Sequence, residues 1–189
     1  MKKIFANNDP TKYAQVDDDV FETIQQMNLK FMIQNKGNCG GHFYSTTKIQ
    51  LPGMAEKKCL LLHRFIWILK TGTEPSSTID HIDINPLNNQ FENLRLATVK
   101  QQNQHKGKLR TNTSGYIGVS YYHNKSGNGY RNYWVARIQR QAGKIEAKTF
   151  PFTPEGKIEA AHWRDQKAIK YYGKFCGELN FPDDHTKTA

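Results

Sequence analysis

Between Thr78 and Gln104 the chain reads TIDHIDINPLNNQFENLRLATVKQQNQ. An acid stands beside a histidine, Asp80-His81, inside the β-branched run Thr78, Ile79 and Ile82. The amides Asn85, Asn88, Asn89 and Asn93 follow within a few residues. A carboxylate can hold a divalent cation against a phosphate, and a neighbouring imidazole can take a proton from water. The chemistry such a set supports is metal-assisted hydrolysis of a phosphodiester. No other stretch of the chain gathers so compact a set.

These side chains need elements to aim them. Thr78–Ile82 has the composition of a short strand, and the Asn-rich stretch after it is loop. Leu94–Thr98 reads as a second short strand, and a polar helix is expected from Val99 onward. The order is strand, loop, strand, helix.

Taken together, His63-Arg64, Ile79-Asp80-His81-Ile82-Asp83, Asn88-Asn89, Glu92-Asn93-Leu94-Arg95, Ala97-Thr98 and Gln101-Gln102-Asn103 resemble the HNH nuclease family in its phage and mobile-intron (homing) branch. Residue types at several separations agree at once, which makes the match specific. The resemblance implies an α+β nuclease domain over residues 1–105, with a ββα-metal core at about 61–105. It implies a DNA endonuclease in which Asp80 binds the divalent metal, magnesium or manganese, and His81 is the general base. Asn93 would pin the loop so that His81 is aimed. Cleavage would leave a 5′-phosphate and a 3′-hydroxyl. The family's last metal ligand aligns with Gln102, while the nearest asparagine is Asn103, about 100° further round a helix. Gln102, or Asn103 if the helix is shifted, would complete the metal shell. Arg64 and Arg95 are expected to reach phosphate. Relatives usually carry glycine where this chain has Ile84.

The chain has 189 residues and a formal net charge of +10, with a pI of about 9.5 and a mean hydropathy of −0.76. Low hydropathy argues for two or three small cores rather than one large one. Strong positive charge argues for a polyanionic partner. The charge is uneven. Residues 1–105 hold 12 Lys/Arg against 10 Asp/Glu, and residues 106–189 hold 15 against 7. The second part is therefore the main electrostatic handle. Met1-Lys2-Lys3 is not followed by an apolar segment, no run is long enough to span a membrane, and the cysteines are only Cys39, Cys59 and Cys176. A reducing cytoplasm, in a phage-infected or bacterial host cell, is the expected setting. A monomer is expected.

Residues 1–60 read as a small α+β platform. Lys12–Val16 is strand-like, and Val20, Phe21, Ile24 and Met27 have helical spacing. Asp17-Asp18-Asp19 is expected to cap that helix rather than to bind metal. Leu29–Gln34 and Phe43–Leu51 read as strands. Cys39-x-x-His42 and Cys59-x-x-x-His63 have spacings a zinc ion can use. Cys59 lies in an apolar run and no CxxC occurs, so structural zinc is not expected.

Residues 106–114, KGKLRTNTS, lack apolar periodicity and read as a linker. It carries Lys106, Lys108 and Arg110. Strands are expected at Tyr116–Tyr122, Tyr133–Arg140 and Lys144–Phe150, with HNKSGNGYRN and QAG as turns. A helix starts at Thr153-Pro154, with Ile158, Ala161, Ala168, Ile169 and Tyr172 as its apolar face and Gly173 as its end. Ser114–Val119, Tyr133–Ile138, Lys148-Thr149-Phe150, Glu159-Ala160-Ala161, Asp165, Ala168, Gly173 and Leu179–Pro182 resemble the Apetala-two/ethylene-response-factor DNA-binding domain. The resemblance covers residues 115–182, leaving 183–189 as a tail. It implies three antiparallel strands packed on one helix, with the open sheet face on double-stranded DNA. The plant arginine positions on the first strand hold Ile117, Ser120 and Tyr122, so the plant target does not carry over. The expected contact face is Ser120, Tyr122, Arg137, Gln139, Lys144 and Lys148. One rival is a non-cutting DNA-binding protein with a degenerate nuclease, favoured by Gln102. A weaker one is RNA binding through Tyr121, Tyr122, Tyr130, Tyr133 and Trp134.

Overall fold

The computed structural model describes residues 1–35, 43–49, 58–109, 111–126, 129–140 and 143–184; Cys39, His42, Arg110 and His185 lie outside them. Helices and antiparallel strands are mixed, which is α+β. The chain divides into two compact units, Met1–Val99 and Lys100–Ala189.

In the first unit, β1 (Lys2–Ala6) and β2 (Asp9–Val16) form an antiparallel hairpin. Alternation buries Ile4 and Ala6 from one strand, Ala14 and Val16 from the other. Helix α1 (Asp18–Gln26) buries Val20 and Ile24, four residues apart on one face. Asp18 pairs with the N-terminal amine at 2.8 Å and Asp19 with Lys70 at 2.6 Å. Asp17 occupies the cap position but makes no capping hydrogen bond. Its Oδ2 instead accepts from the Phe91 N–H at 2.8 Å. The acidic triplet thus complements the helix charge, while its first member braces a distant loop.

Strands β3 (Phe31–Asn35), β4 (Phe43–Ile49) and β5 (Lys58–Leu61) form an antiparallel sheet in sequence order. The apolar run after Leu61, which periodicity alone left unassigned, is helix α2 (Leu62–Thr71), closed by Gly72 at φ 71°. Strands β6 (Thr78–His81) and β7 (Leu94–Ala97) pair antiparallel, with Asp80 opposite Arg95 and His81 opposite Leu94. One apolar cluster joins Val16, Ile24, Phe31, Leu62, Ile66, Ile79 and Leu94. The N-terminal platform and the β6–β7 pair therefore share a core and hold each other in place.

Helix α3 (Val99–Gln104) begins at the boundary between the units. In the second unit, β8 (Val119–Ser126), β9 (Gly129–Gln139) and β10 (Ile145–Pro151) form a sheet with β9 central. The stretch read as the turn HNKSGNGYRN is mostly strand, because β8 and β9 run on to a hairpin end at Ser126 and Gly129. The first strand starts later than expected. Ser114 Oγ donates to the Val119 carbonyl at 2.7 Å, and Gly118 has φ 71°. A Cβ at Gly118 would sit 2.9 Å from the Arg137 carbonyl. A tight turn therefore replaces the start of the expected strand.

Helix α4 (Pro154–Tyr172) starts as expected, with Thr153 Oγ1 accepting from the Gly156 N–H at 3.0 Å. Of the expected apolar face, Ala161 and Ala168 are buried, but the two isoleucines are not. Ile158 and Ile169 are 42 % and 39 % exposed, and the buried positions are Gly156, Ala160, Ala161, Arg164, Asp165 and Ala168. Ala160 and Ala161 share a core with Val119, Ala136 and Phe150, one residue from each strand. Small side chains let helix and sheet approach closely.

The register also corrects the sheet faces. Directly paired residues share a face. Ser120, Val135 and Thr149 line one face, as do Tyr122 with Tyr133, Arg137 with Ala147, and Gln139 with Ile145. Lys148 pairs with Ala136, which pairs with Val119, so Lys148 belongs to the opposite, helix-side face. Lys144 precedes β10 and lies on neither face of the ladder. Residues 106–114, read above as a linker, carry contacts within the second unit. The Lys108 N–H donates to Glu178 at 2.9 Å, and Asn112 Nδ2 donates to the Tyr116 carbonyl at 2.7 Å.

Candidate active site

Asp80 and His81 end strand β6, and both are buried. The Asn-rich loop that follows is held from several directions. Asp83 is its hub. Its Oδ1 accepts from the Asn85 N–H and from Asn93 Nδ2, each at 2.9 Å, and its Oδ2 accepts from Asn88 Nδ2 at 2.7 Å. Asn93 also donates to the Asn88 carbonyl at 2.8 Å and accepts from the Asp83 N–H at 3.0 Å. Its backbone carbonyl accepts from the Ile82 N–H at 2.9 Å. Asn93 thus ties both ends of the loop, directly after His81. Ile84 sits at φ 63°, the left-handed region that favours glycine.

The platform clamps the same loop. Gln15 of β2 donates its N–H to the Leu87 carbonyl at 2.7 Å and accepts from the Asn89 N–H at 2.8 Å. With Asp17 on Phe91, this fixes the loop on both sides of fully buried Asn89. Asn89 Oδ1 lies 3.3 Å from His81 Nε2. This contact makes the bonded nitrogen the N–H side of the ring and leaves Nδ1 as the basic nitrogen.

His63, on the first turn of α2, packs edge-on against His81, with ring centroids 5.3 Å apart. Tyr44 packs edge-on against His63 at 6.2 Å. Burial, the adjacent His81 and then Arg64 push His63 down to about 3. Burial also lowers His81, opposed by the Asn89 hydrogen bond and by Asp83 and Asp80. Burial and the Asp80 charge raise the Tyr44 phenol. Both histidines are therefore neutral at pH 7, the state a base requires.

Arg95 Nη2 and Nε lie 2.8 Å and 2.9 Å from Asp80 Oδ2, with side-chain exposures of 16 % for Arg95 and 8 % for Asp80. Arg95 is turned onto the acid it faces across the strand pair. Arg64 pairs with Glu74 at 2.8 Å on the surface. Gln102 and Asn103 lie on α3, and Asn103 Oδ1 accepts from Lys106 Nζ at 2.7 Å. His105 is buried and donates its N–H to the Gln101 carbonyl. Cys59 is exposed while His63 is buried.

On the sheet face, Arg137 Nη1 donates to Ser120 Oγ at 2.9 Å, and Tyr122 stacks on Tyr133 at 5.1 Å. The Gln139 carbonyl accepts from the Tyr172 hydroxyl at 2.7 Å. Lys148 lies over the Phe150 ring at 5.2 Å.

Sequence reasoning did not single out Asn89 as the partner of His81, Gln15 and Asp17 as clamps, or Arg95 as the counterion of Asp80. Strand pairing in register offers a signal for Arg95 alone. Gln15 and Asp17 depend on contacts far apart in sequence, and those contacts set the loop path that brings Asn89 back onto His81.

Among the described residues no group of three or more His, Cys, Asp or Glu side chains is placed to hold a metal. The expected ligand set, one carboxylate and an amide oxygen, needs no such group. Asp80 fits a cation, because its carboxylate already holds the positive charge of Arg95. No helix of the described residues is long and apolar enough to cross a membrane.

Comparison with known proteins follows the same residues. Residues 60–104, spanning β5 to α3, match the HNH endonuclease family. Protein 3.8 of Escherichia phage T7 is 31 % identical over 115 residues, covering 60 % of this chain and 86 % of that protein. An uncharacterized HNH endonuclease of Acanthamoeba polyphaga mimivirus is 43 % identical over 117 residues, covering 61 % of this chain and 54 % of that protein. No solved structure matches. Residues 60–104, the stretch that carries Asp80, His81 and Asn93, form an HNH endonuclease domain.

Proposed function

We propose that the protein is a divalent-metal-dependent DNA endonuclease, of the homing type, whose second unit binds double-stranded DNA. The observation that carries the reading is His81: buried, neutral, held by Asn89, and adjacent to the Asp80 carboxylate. His81 Nδ1 takes the proton of the attacking water. Asn93 and Asp83 keep the loop from moving the ring. Asp80 holds the metal, magnesium or manganese, since hard ions take oxygen ligands. That ion supplies charge neutralisation at the phosphate. Gln102, or Asn103 if the helix is shifted, would supply the second protein oxygen.

DNA is held through the excess charge after residue 105. The contact face is Ser120, Tyr122, Arg137 and Gln139, with Lys106, Lys108, Arg110 and Lys144 as phosphate contacts. The Apetala-two-like reading of residues 115–182 is supported by a core with one residue from each of the three strands and two from the helix. Lys148, on the other face, drops out of the groove-facing set.

The test is nicking or linearisation of supercoiled plasmid with magnesium. His81→Ala should lose at least about a hundredfold in rate with DNA affinity nearly unchanged. If Gln102 is the ligand, Gln102→Ala should raise the metal concentration required and Asn103→Ala should not; if the helix is shifted, the two effects reverse. A wild-type chain that binds DNA but never cuts supports the rival, a DNA-binding protein with a decayed nuclease, which the glutamine at position 102 favours.

A further inference from the structure

The Asp80–Arg95 pair joins one acid to a guanidinium that lies directly across a two-stranded ribbon. Both guanidinium contacts fall on Oδ2, and both come from one side chain. A single rotation of that side chain removes them together. The carboxylate is buried, and a buried negative charge is costly without a compensating partner. A divalent ion at Asp80 would satisfy that need and would repel the guanidinium already there. A displaced guanidinium seeks an oxyanion, and its planar fork matches two oxygens of a phosphodiester.

We propose that Arg95 is the exchangeable counterion of Asp80. It holds the carboxylate in the metal-free protein, yields it to a divalent cation, and then turns to the phosphodiester. The inference rests on the metal reading of Asp80 given above. It makes Arg95 a positioning residue that keeps the site folded before loading and contributes a phosphate contact after it. It also couples the two ligands: each metal ion bound releases one cation for DNA.

The Arg95 Nε–H resonance of the ¹⁵N-labelled full chain reports this directly. The resonance is assigned by its loss in Arg95→Lys. Titration with magnesium, without DNA, should shift and broaden it as the metal saturates. Asp80→Asn should move the same resonance with no metal present. By calorimetry, Arg95→Gln should bind manganese about tenfold more tightly than the parent chain, with Arg95→Lys between them. A resonance that stays in place at saturating magnesium, in a chain whose metal binding is lost in Asp80→Asn, overturns the exchange while leaving the metal site standing. Equal manganese affinity in Asp80→Asn and the parent overturns the metal site and the exchange together. The resonance is read on the native sequence, so poor folding of Arg95→Gln does not blunt the test.

Discussion

Two buried aspartates, each beside an arginine, are built for opposite purposes. Asp165 is fully buried on α4, and both of its oxygens are taken. Oδ1 accepts from Arg164 Nη1 at 3.1 Å and Asn180 Nδ2 at 3.0 Å; Oδ2 accepts from the N–H groups of Asn180 and Phe181 at 2.7 and 2.9 Å. Arg164 also donates to the Glu178 carbonyl at 3.0 Å. Backbone donors cannot swing away, so Asp165 is a permanent fastener between α4 and the chain that follows. Asp80 holds a guanidinium from an opposing strand. Its partner can rotate. Burial with fixed donors makes structure, and burial with an exchangeable donor leaves room for chemistry.

The comparison can be broken from its strongest side. Asp165→Ala leaves a buried arginine and two backbone N–H groups without their acceptor, and should cost about 3–5 kcal/mol of stability in the second unit. Urea unfolding, followed by fluorescence of Trp134 and Trp163, measures it. Asp80→Asn should abolish cleavage yet cost only about 1–2 kcal/mol, because the amide oxygen can still accept from Arg95. If Asp80→Asn proves the more destabilising, the two sites are not different in kind.

The histidines sharpen it further. His63 is pushed down to about 3 from the model-compound value of 6.5. The folded state therefore refuses a proton that the unfolded chain accepts. Its stabilisation is complete above pH 6.5 and is lost progressively as pH falls toward 3, at up to about 1.4 kcal/mol per pH unit. His63→Phe should flatten that part of the stability–pH curve, measured by the thermal midpoint between pH 7 and 4. An unchanged slope would remove His63 as its source. The smallest effect belongs to Ile84. A β-branched residue at φ 63° is strained by about 1–2 kcal/mol, and glycine loses about 0.5–1 kcal/mol of that gain to its freer unfolded chain. Ile84→Gly should therefore stabilise the first unit modestly. A loss of stability would mean that the half-buried side chain contributes more than its backbone costs.

Legibility followed range. The pair β6–β7 and the roles open to Asp80 and His81 could be read locally, since the strands are short and the loop carries its own turn residues. Asn89, Gln15 and Asp17 could not, because what they do depends on a platform more than seventy residues upstream of the loop it clamps. Helix α2 was hidden because a continuous apolar run has no period to read. Lys148 was assigned to the wrong face because alternation within one strand does not fix its register against the next. Ile158 and Ile169 fit a helical stripe, yet the helix meets the sheet through Ala160 and Ala161 instead.

The second unit closes on itself where the chain enters and leaves it. A Cβ at Gly177 would lie 2.5 Å from the Lys106 carbonyl, and the Lys108 N–H holds Glu178 at 2.9 Å. The stretch before the first strand and the stretch after the last helix therefore run side by side. A segment with adjacent ends is a cassette: it can be inserted into a surface loop of another protein, or cut and rejoined at a different turn, without stretching its host.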